Sequence, residues 1–137
     1  MADGTARVEL ELDWRGDTRF VGHAGAVAMT LDGSARAGPT PVQALAFGLA
    51  GCMAIDVVHI LTKGRLGVSA LKVRLEGERA QEDPRRFVKF GLHFSVRGDV
   101  PADKMERALA LSREKYCSVW HSVRQDIPLT TTFEIAP

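Results

Sequence analysis

Two residues of this 137-residue chain are of a type that does chemistry by itself: Cys52 and Cys117. Cys52 lies in Thr40-Pro41-Val42-Gln43-Ala44-Leu45-Ala46-Phe47-Gly48-Leu49-Ala50-Gly51-Cys52-Met53-Ala54-Ile55-Asp56-Val57-Val58. This apolar stretch has almost no charge and is crowded with small residues around the sulfur. Cys117 lies in Glu114-Lys115-Tyr116-Cys117-Ser118-Val119. Free cysteine is among the most buried residue types, so either one fits a core position. A pair of them suggests a thiolate that attacks an electrophile.

The apolar helix around Cys52 offers an anion nothing, and Asp56, one turn later on the same face, opposes it. A reactive Cys52 therefore requires a cation from another segment. Cys117 is expected in the first turn of a short helix, where its sulfur would face unpaired N–H groups and the positive end of the dipole. Cys52, Asp56, His59 and His121 match no known zinc spacing, so no metal is expected. A buried Asp56–His59 hydrogen bond that orients the helix is the simpler reading. Ser112-Arg113-Glu114-Lys115 has the S-x-x-K spacing but none of its companion motifs. With no G-x-G-x-x-G, P-loop or C-x-x-C, no cofactor is expected.

The elements that must position these residues follow from periodicity. Val8, Leu10, Leu12 and Trp14 alternate with acidic residues as a half-buried strand. Strands follow near Arg19-Phe20-Val21 and over Val27, Met29 and Leu31, which ends at Asp32-Gly33. Thr40, Pro41 and Gln43 spell a capped helix start, and Gly64 a helix end. Helix 41–63 is apolar on nearly every face, so it should be central and covered all round. Leu71, Val73 and Leu75 mark a strand. Val88, Phe90, Leu92, Phe94 and Val96 line one face of the next, and 81–85 joins the two. Asp103-Lys104-Met105-Glu106 reads as another capped helix start, with the helix running to about Lys115 and a short helical turn following from Cys117 or Ser118 to Arg124. Leu129, Thr131, Phe133 and Ile135 form a closing strand. The order βββ-α-ββ-α-α-β is an α+β fold with mostly antiparallel pairing, expected as one domain over 1–137.

The net charge of +1, without a run of like charges, gives no reason to expect nucleic acid or an anionic membrane as partner. Met1-Ala2-Asp3-Gly4-Thr5 has no signal-peptide pattern. The apolar stretch 44–61 is interrupted by Asp56 and His59, which favours a buried helix over a membrane span. Two cysteines without a secretory signal point to the reducing cytoplasm.

Gly38-Pro39-Thr40-Pro41-Val42-Gln43-Ala44-Leu45 and Ala50-Gly51-Cys52-Met53-Ala54-Ile55-Asp56-Val57-Val58-His59-Ile60-Leu61 resemble the central helix of the OsmC/Ohr family. Leu111-Ser112-Arg113-Glu114-Lys115-Tyr116-Cys117-Ser118-Val119 resembles that family's second-cysteine segment. The resemblance implies antiparallel sheets wrapped around central helices in an intertwined homodimer, with active sites at the subunit interface. It implies thiol-dependent reduction of organic hydroperoxides, alkyl or lipid, in oxidative stress defence. Cys52 would become a sulfenic acid, Cys117 would resolve it as a disulfide, and an external thiol or dithiol would reduce that disulfide. Phe47, Leu49 and Met53 are candidates for an apolar substrate pocket. The family's best-known members hold an arginine against the thiolate with a glutamate early in the helix. Here the position ten before Cys52 is Val42, and its neighbour Gln43 is neutral. Arg36 in the loop before the helix, and Arg19 or Arg15 in the first hairpin, are the arginine candidates. The departure keeps open a non-catalytic role in which the same pocket binds a small apolar ligand or senses oxidation.

Overall fold

The structure is a computed structural model that describes residues 6–137. The Met1–Thr5 segment, on which the signal-peptide reading rests, lies outside the described residues. The element order is β1 (Glu11–Trp14), β2 (Arg19–Ala24), β3 (Val27–Asp32), α1 (Pro41–Lys63), β4 (Gly67–Arg79), β5 (Phe87–Asp99), α2 (Ala102–Leu111), a π-helical turn (Ser112–Tyr116), a 3₁₀ turn (Trp120–Ser122) and β6 (Leu129–Ala136). The chain up to Leu45 and the stretch Ala46–Pro137 form two compact units, described in turn.

The first unit is an antiparallel sheet in the order β1-β2-β3, with Trp14 opposite Phe20 and Phe20 opposite Leu31. β1 is shorter than its alternation suggests. Its apolar side is exposed rather than half-buried, at Leu12 and Trp14 alike. After β3 the loop folds back, and Asp32 N–H donates to the Pro39 carbonyl at 3.0 Å. Gly38 permits this close approach, since a Cβ there would stand 2.1 Å from the Thr30 carbonyl oxygen. Thr40 Oγ1 accepts from Gln43 N–H, and Gln43 Oε1 accepts from Thr40 N–H, both at 3.0 Å. This is the reciprocal capping box read from the sequence.

The second unit carries the core. β4, β5 and β6 form one sheet, β4 pairing with β5 antiparallel and β6 joining β5 in parallel. A parallel neighbour needs a crossover, and α2 with its two following turns supplies it. Phe90, Leu92, Phe94 and Val96 alternate along β5 and are buried. They join Leu49, Met53, Val57 and Leu61, which recur every fourth residue along α1 and form its buried stripe. Each such side chain contributes roughly 1.5–3 kcal/mol of burial.

That stripe is narrower than the sequence suggests. Phe47 is 68% exposed, Ile55 60% and Val58 41%, so α1 is covered on one face rather than all round. α1 is long and apolar enough to cross a membrane by length and composition. Its stripe is nevertheless part of its own unit's core. α2 begins at Ala102, one residue before the expected start. Pro101 occupies the cap position, and no side chain caps the helix. Met105, Ala108 and Leu109 are its buried residues.

Candidate functional site

Cys52 and Asp56 are four residues apart on α1, so both project from one side of the helix. The second half of the site comes from the end of α2. Ser112 continues the helical spacing of Met105, Ala108 and Leu109 and is completely buried. Its hydroxyl donates to Asp56 Oδ2 at 2.8 Å.

The helix then widens. Cys117 N–H donates to the Ser112 carbonyl at 2.8 Å, five residues back, which closes a π turn. A wider turn brings the fifth residue back over the first. Cys117 is thereby delivered to the same side as Ser112, where a continued α-helix would have carried it away. The two sulfurs and a carboxylate oxygen of Asp56 all lie within 4.8 Å of one another. Both cysteines are free; Cys52 is half-buried and Cys117 fully buried.

The electrostatics of Cys117 differ from the sequence expectation. Its backbone is extended, at φ −72° and ψ 98°, and it precedes the 3₁₀ turn rather than opening a helix. Its sulfur does accept one N–H, from Trp120 at 3.3 Å. Burial outweighs that donor, and with Cys52 and Asp56 nearby the thiol is pushed up to about 11.

The remaining candidates are distributed as follows. His59 lines a shallow apolar cleft with Ala54, Ile55, Val58, Leu71 and Val73. His121 Nε2 is 3.0 Å from the Arg113 carbonyl oxygen. Neither belongs to the cluster, and the partner of Asp56 is Ser112, not His59. Two sulfurs and a carboxylate could hold a thiophilic cation, but three donors fall short of the four of a structural zinc site. Leu49 and Met53 are 1% and 0% exposed, which makes them core residues without free surface for a substrate. Phe47 keeps its surface. In the first unit, Arg19 is exposed on β2 with its guanidinium 3.6 Å from Asp17, and Arg36 is exposed in the loop after β3. Gln43 is engaged in its capping box. The sequence reading missed Ser112 as a partner. The signal was present: a hydroxyl one turn beyond Leu109 on the buried face of an amphipathic helix.

A family model for OsmC-like proteins matches residues 31–132. The chain belongs to the OsmC-like family. Protein YhfA of Escherichia coli is 37% identical over 131 residues, covering 93% of this chain and 98% of that protein. Among solved structures, a hypothetical protein from Aquifex aeolicus VF5 has a TM-score of 0.88 at 28% identity, covering 96% of this chain and 97% of that one. An organic hydroperoxide resistance protein from Elizabethkingia anophelis shares the fold, with a TM-score of 0.69 at 13% identity over 97% of this chain and 99% of that one. Within this OsmC-like chain, the site combines two thiols with a serine-bound carboxylate on one side of α1.

Proposed function

We propose that the chain is a thiol-dependent peroxidase for organic hydroperoxides. The observation that carries this reading is the meeting of two free thiols from distant segments within 4.8 Å. Cys52, the one with surface, attacks the distal oxygen of ROOH as its thiolate. The O–O bond breaks, a proton completes ROH, and Cys52 is left as a sulfenic acid. The Cys117 sulfur then displaces the sulfenic oxygen as water, giving the Cys52–Cys117 disulfide. An external thiol or dithiol reduces that disulfide, oxidising its own sulfurs and restoring both thiols. An alkyl or lipid chain suits exposed Phe47, and free thiols suit the cytoplasm. A cation for the Cys52 thiolate would come from Arg36 or Arg19.

The test is hydroperoxide consumption with dithiol as reductant. Cys52→Ser should lower consumption to background. Cys117→Ser should keep the first, stoichiometric oxidation and form no intramolecular disulfide. Full consumption by Cys52→Ser, or none by the wild type with any thiol, overturns the enzyme reading. The second reading, a binding or oxidation-sensing protein, is favoured by Val42 and Gln43 standing where the family's peroxidases place a glutamate.

We also propose that a second copy covers α1. Gly51, Ile55 and Val58 share one face of the helix, and a Cβ at Gly51 would meet nothing within 4 Å. An apolar face of this kind belongs to obligate interfaces, which commonly bury ~2,000 Å² or more. A folded monomer in sedimentation at micromolar concentration would falsify this.

A further inference from the structure

We propose that Asp56 is the proton relay of disulfide closure: its carboxylate takes the proton of the Cys117 thiol as that sulfur attacks Cys52, and passes it to the departing oxygen. The role of the departing oxygen rests on the peroxidase reading; the role of the base does not.

Three observations converge on Asp56. Its carboxylate oxygen lies within 4.8 Å of both the attacking and the attacked sulfur. Ser112, itself fully buried, fixes that carboxylate by donating to Oδ2 at 2.8 Å. The attacking group also needs help. With its thiol pushed up to about 11, Cys117 holds its proton at neutral pH, and the thiol form is a poor nucleophile.

A carboxylate beside a thiolate is normally a liability, because like charges oppose each other. That liability explains why the proton transfer and the attack belong together. As Asp56 accepts the proton it becomes neutral, so in this step its carboxylate never stands beside a Cys117 thiolate. The balance closes without an outside reagent. Cys52–S–OH and Cys117–S–H become a disulfide and one water. The S–O and S–H bonds break, S–S and O–H form, and the proton that leaves Cys117 passes through Asp56 to the departing oxygen, so the carboxylate is restored as the water leaves.

The competing role for Asp56 is structural, pinning α1 to the end of α2 through Ser112. Asp56→Asn separates the two roles, because an amide oxygen still accepts the serine hydroxyl while the side chain takes no proton at neutral pH. The reduced protein is mixed with an aromatic disulfide whose thiolate is coloured. The first release reports mixed-disulfide formation at Cys52. The second reports closure by Cys117 and involves no hydroperoxide, so its outcome is independent of whether the chain is a peroxidase.

In the wild type the closure rate should be nearly flat around neutral pH and show a normal solvent isotope effect. In Asp56→Asn closure should slow by roughly 10²-fold, within the range of general acid–base catalysis, and rise about tenfold per pH unit. Asp56→Glu should recover part of the rate and the flat profile. Closure of Asp56→Asn at or above the wild-type rate, with an unchanged profile, overturns the proposal. So does a wild type that releases only one equivalent. Should Asp56→Asn fail to fold by circular dichroism, the wild-type isotope effect and pH profile decide alone, and their absence overturns the relay.

Discussion

Asp32, which is buried, and Asp56, which is half-buried, are carboxylates in different units, and their donors set them apart. Asp32 Oδ1 accepts from Thr18 Oγ1 at 2.9 Å, Ser34 N–H at 3.0 Å and Ser34 Oγ at 2.8 Å. Its Oδ2 accepts from Ala37 N–H at 3.0 Å. These donors hold its carboxyl well below the usual carboxylate range, led by the backbone N–H groups of Ala37 and Ser34. Asp56 accepts from Ser112 and otherwise faces two sulfurs. A carboxylate saturated with donors is locked as an anion and ties a loop together. One with a single donor keeps capacity for a moving proton. The first arrangement builds structure, and the second leaves room for chemistry.

The largest expected effect that would test this contrast is on stability against pH. The native state of Asp32 holds its proton more weakly than the unfolded chain, so its contribution is fully present above the ordinary value of 3.8 and is lost as pH falls below it. Cys117 acts in the opposite sense. The native state binds its proton more tightly, so stability is complete below the unfolded value of 9.0 and is lost as pH rises through about 11. Denaturant titrations from acid to alkaline pH should therefore show both arms. Asp32→Asn should lower stability at neutral pH, because its amide group turns donors toward the N–H groups of Ser34 or Ala37, and should flatten the acid arm. Cys117→Ala should flatten the alkaline arm alone. An acid arm unchanged in Asp32→Asn would break the comparison.

The elements were more legible in the sequence than the partners within the site. Thr40, Pro41, Gln43 and Gly64 mark both ends of α1 because capping is local, and alternation marks β4 and β5 for the same reason. Cys52 and Cys117 stand out by residue type. What was not legible depends on contacts distant in the chain. Helical spacing alone pairs Asp56 with His59, whereas its partner is Ser112, the residue that follows α2. The π turn that orients Cys117 has no composition signal in Ser112–Tyr116, and an uninterrupted helix to Lys115 is what propensity alone gives. An apolar helix gives no sign in its sequence that Leu49 and Met53 are core residues rather than pocket lining. The buried residues of β5 and α2, which share one core with Leu49, Met53, Val57 and Leu61, decide which apolar residues are core and which keep a surface.

The smaller effect tests the donor count directly, through two serines that each donate a hydroxyl to a carboxylate at 2.8 Å. Ser34→Ala leaves Asp32 with Thr18 and two backbone N–H groups, so the loss should be within the ordinary net value of one hydrogen bond, about 0.5–1.5 kcal/mol. Ser112→Ala removes the donor that fixes Asp56 and leaves a part-buried acceptor short, for which about 1–3 kcal/mol is the expected cost. Urea titrations of the two variants rank them. Ser112→Ala should also slow closure of the Cys52–Cys117 disulfide, since an unfixed carboxylate spends less time within reach of the Cys117 proton, whereas Ser34→Ala should leave closure at the wild-type rate. If Ser34→Ala proves the more destabilising and Ser112→Ala closes normally, then donor number does not separate the two carboxylates, and the distinction between a structural aspartate and a relaying one fails.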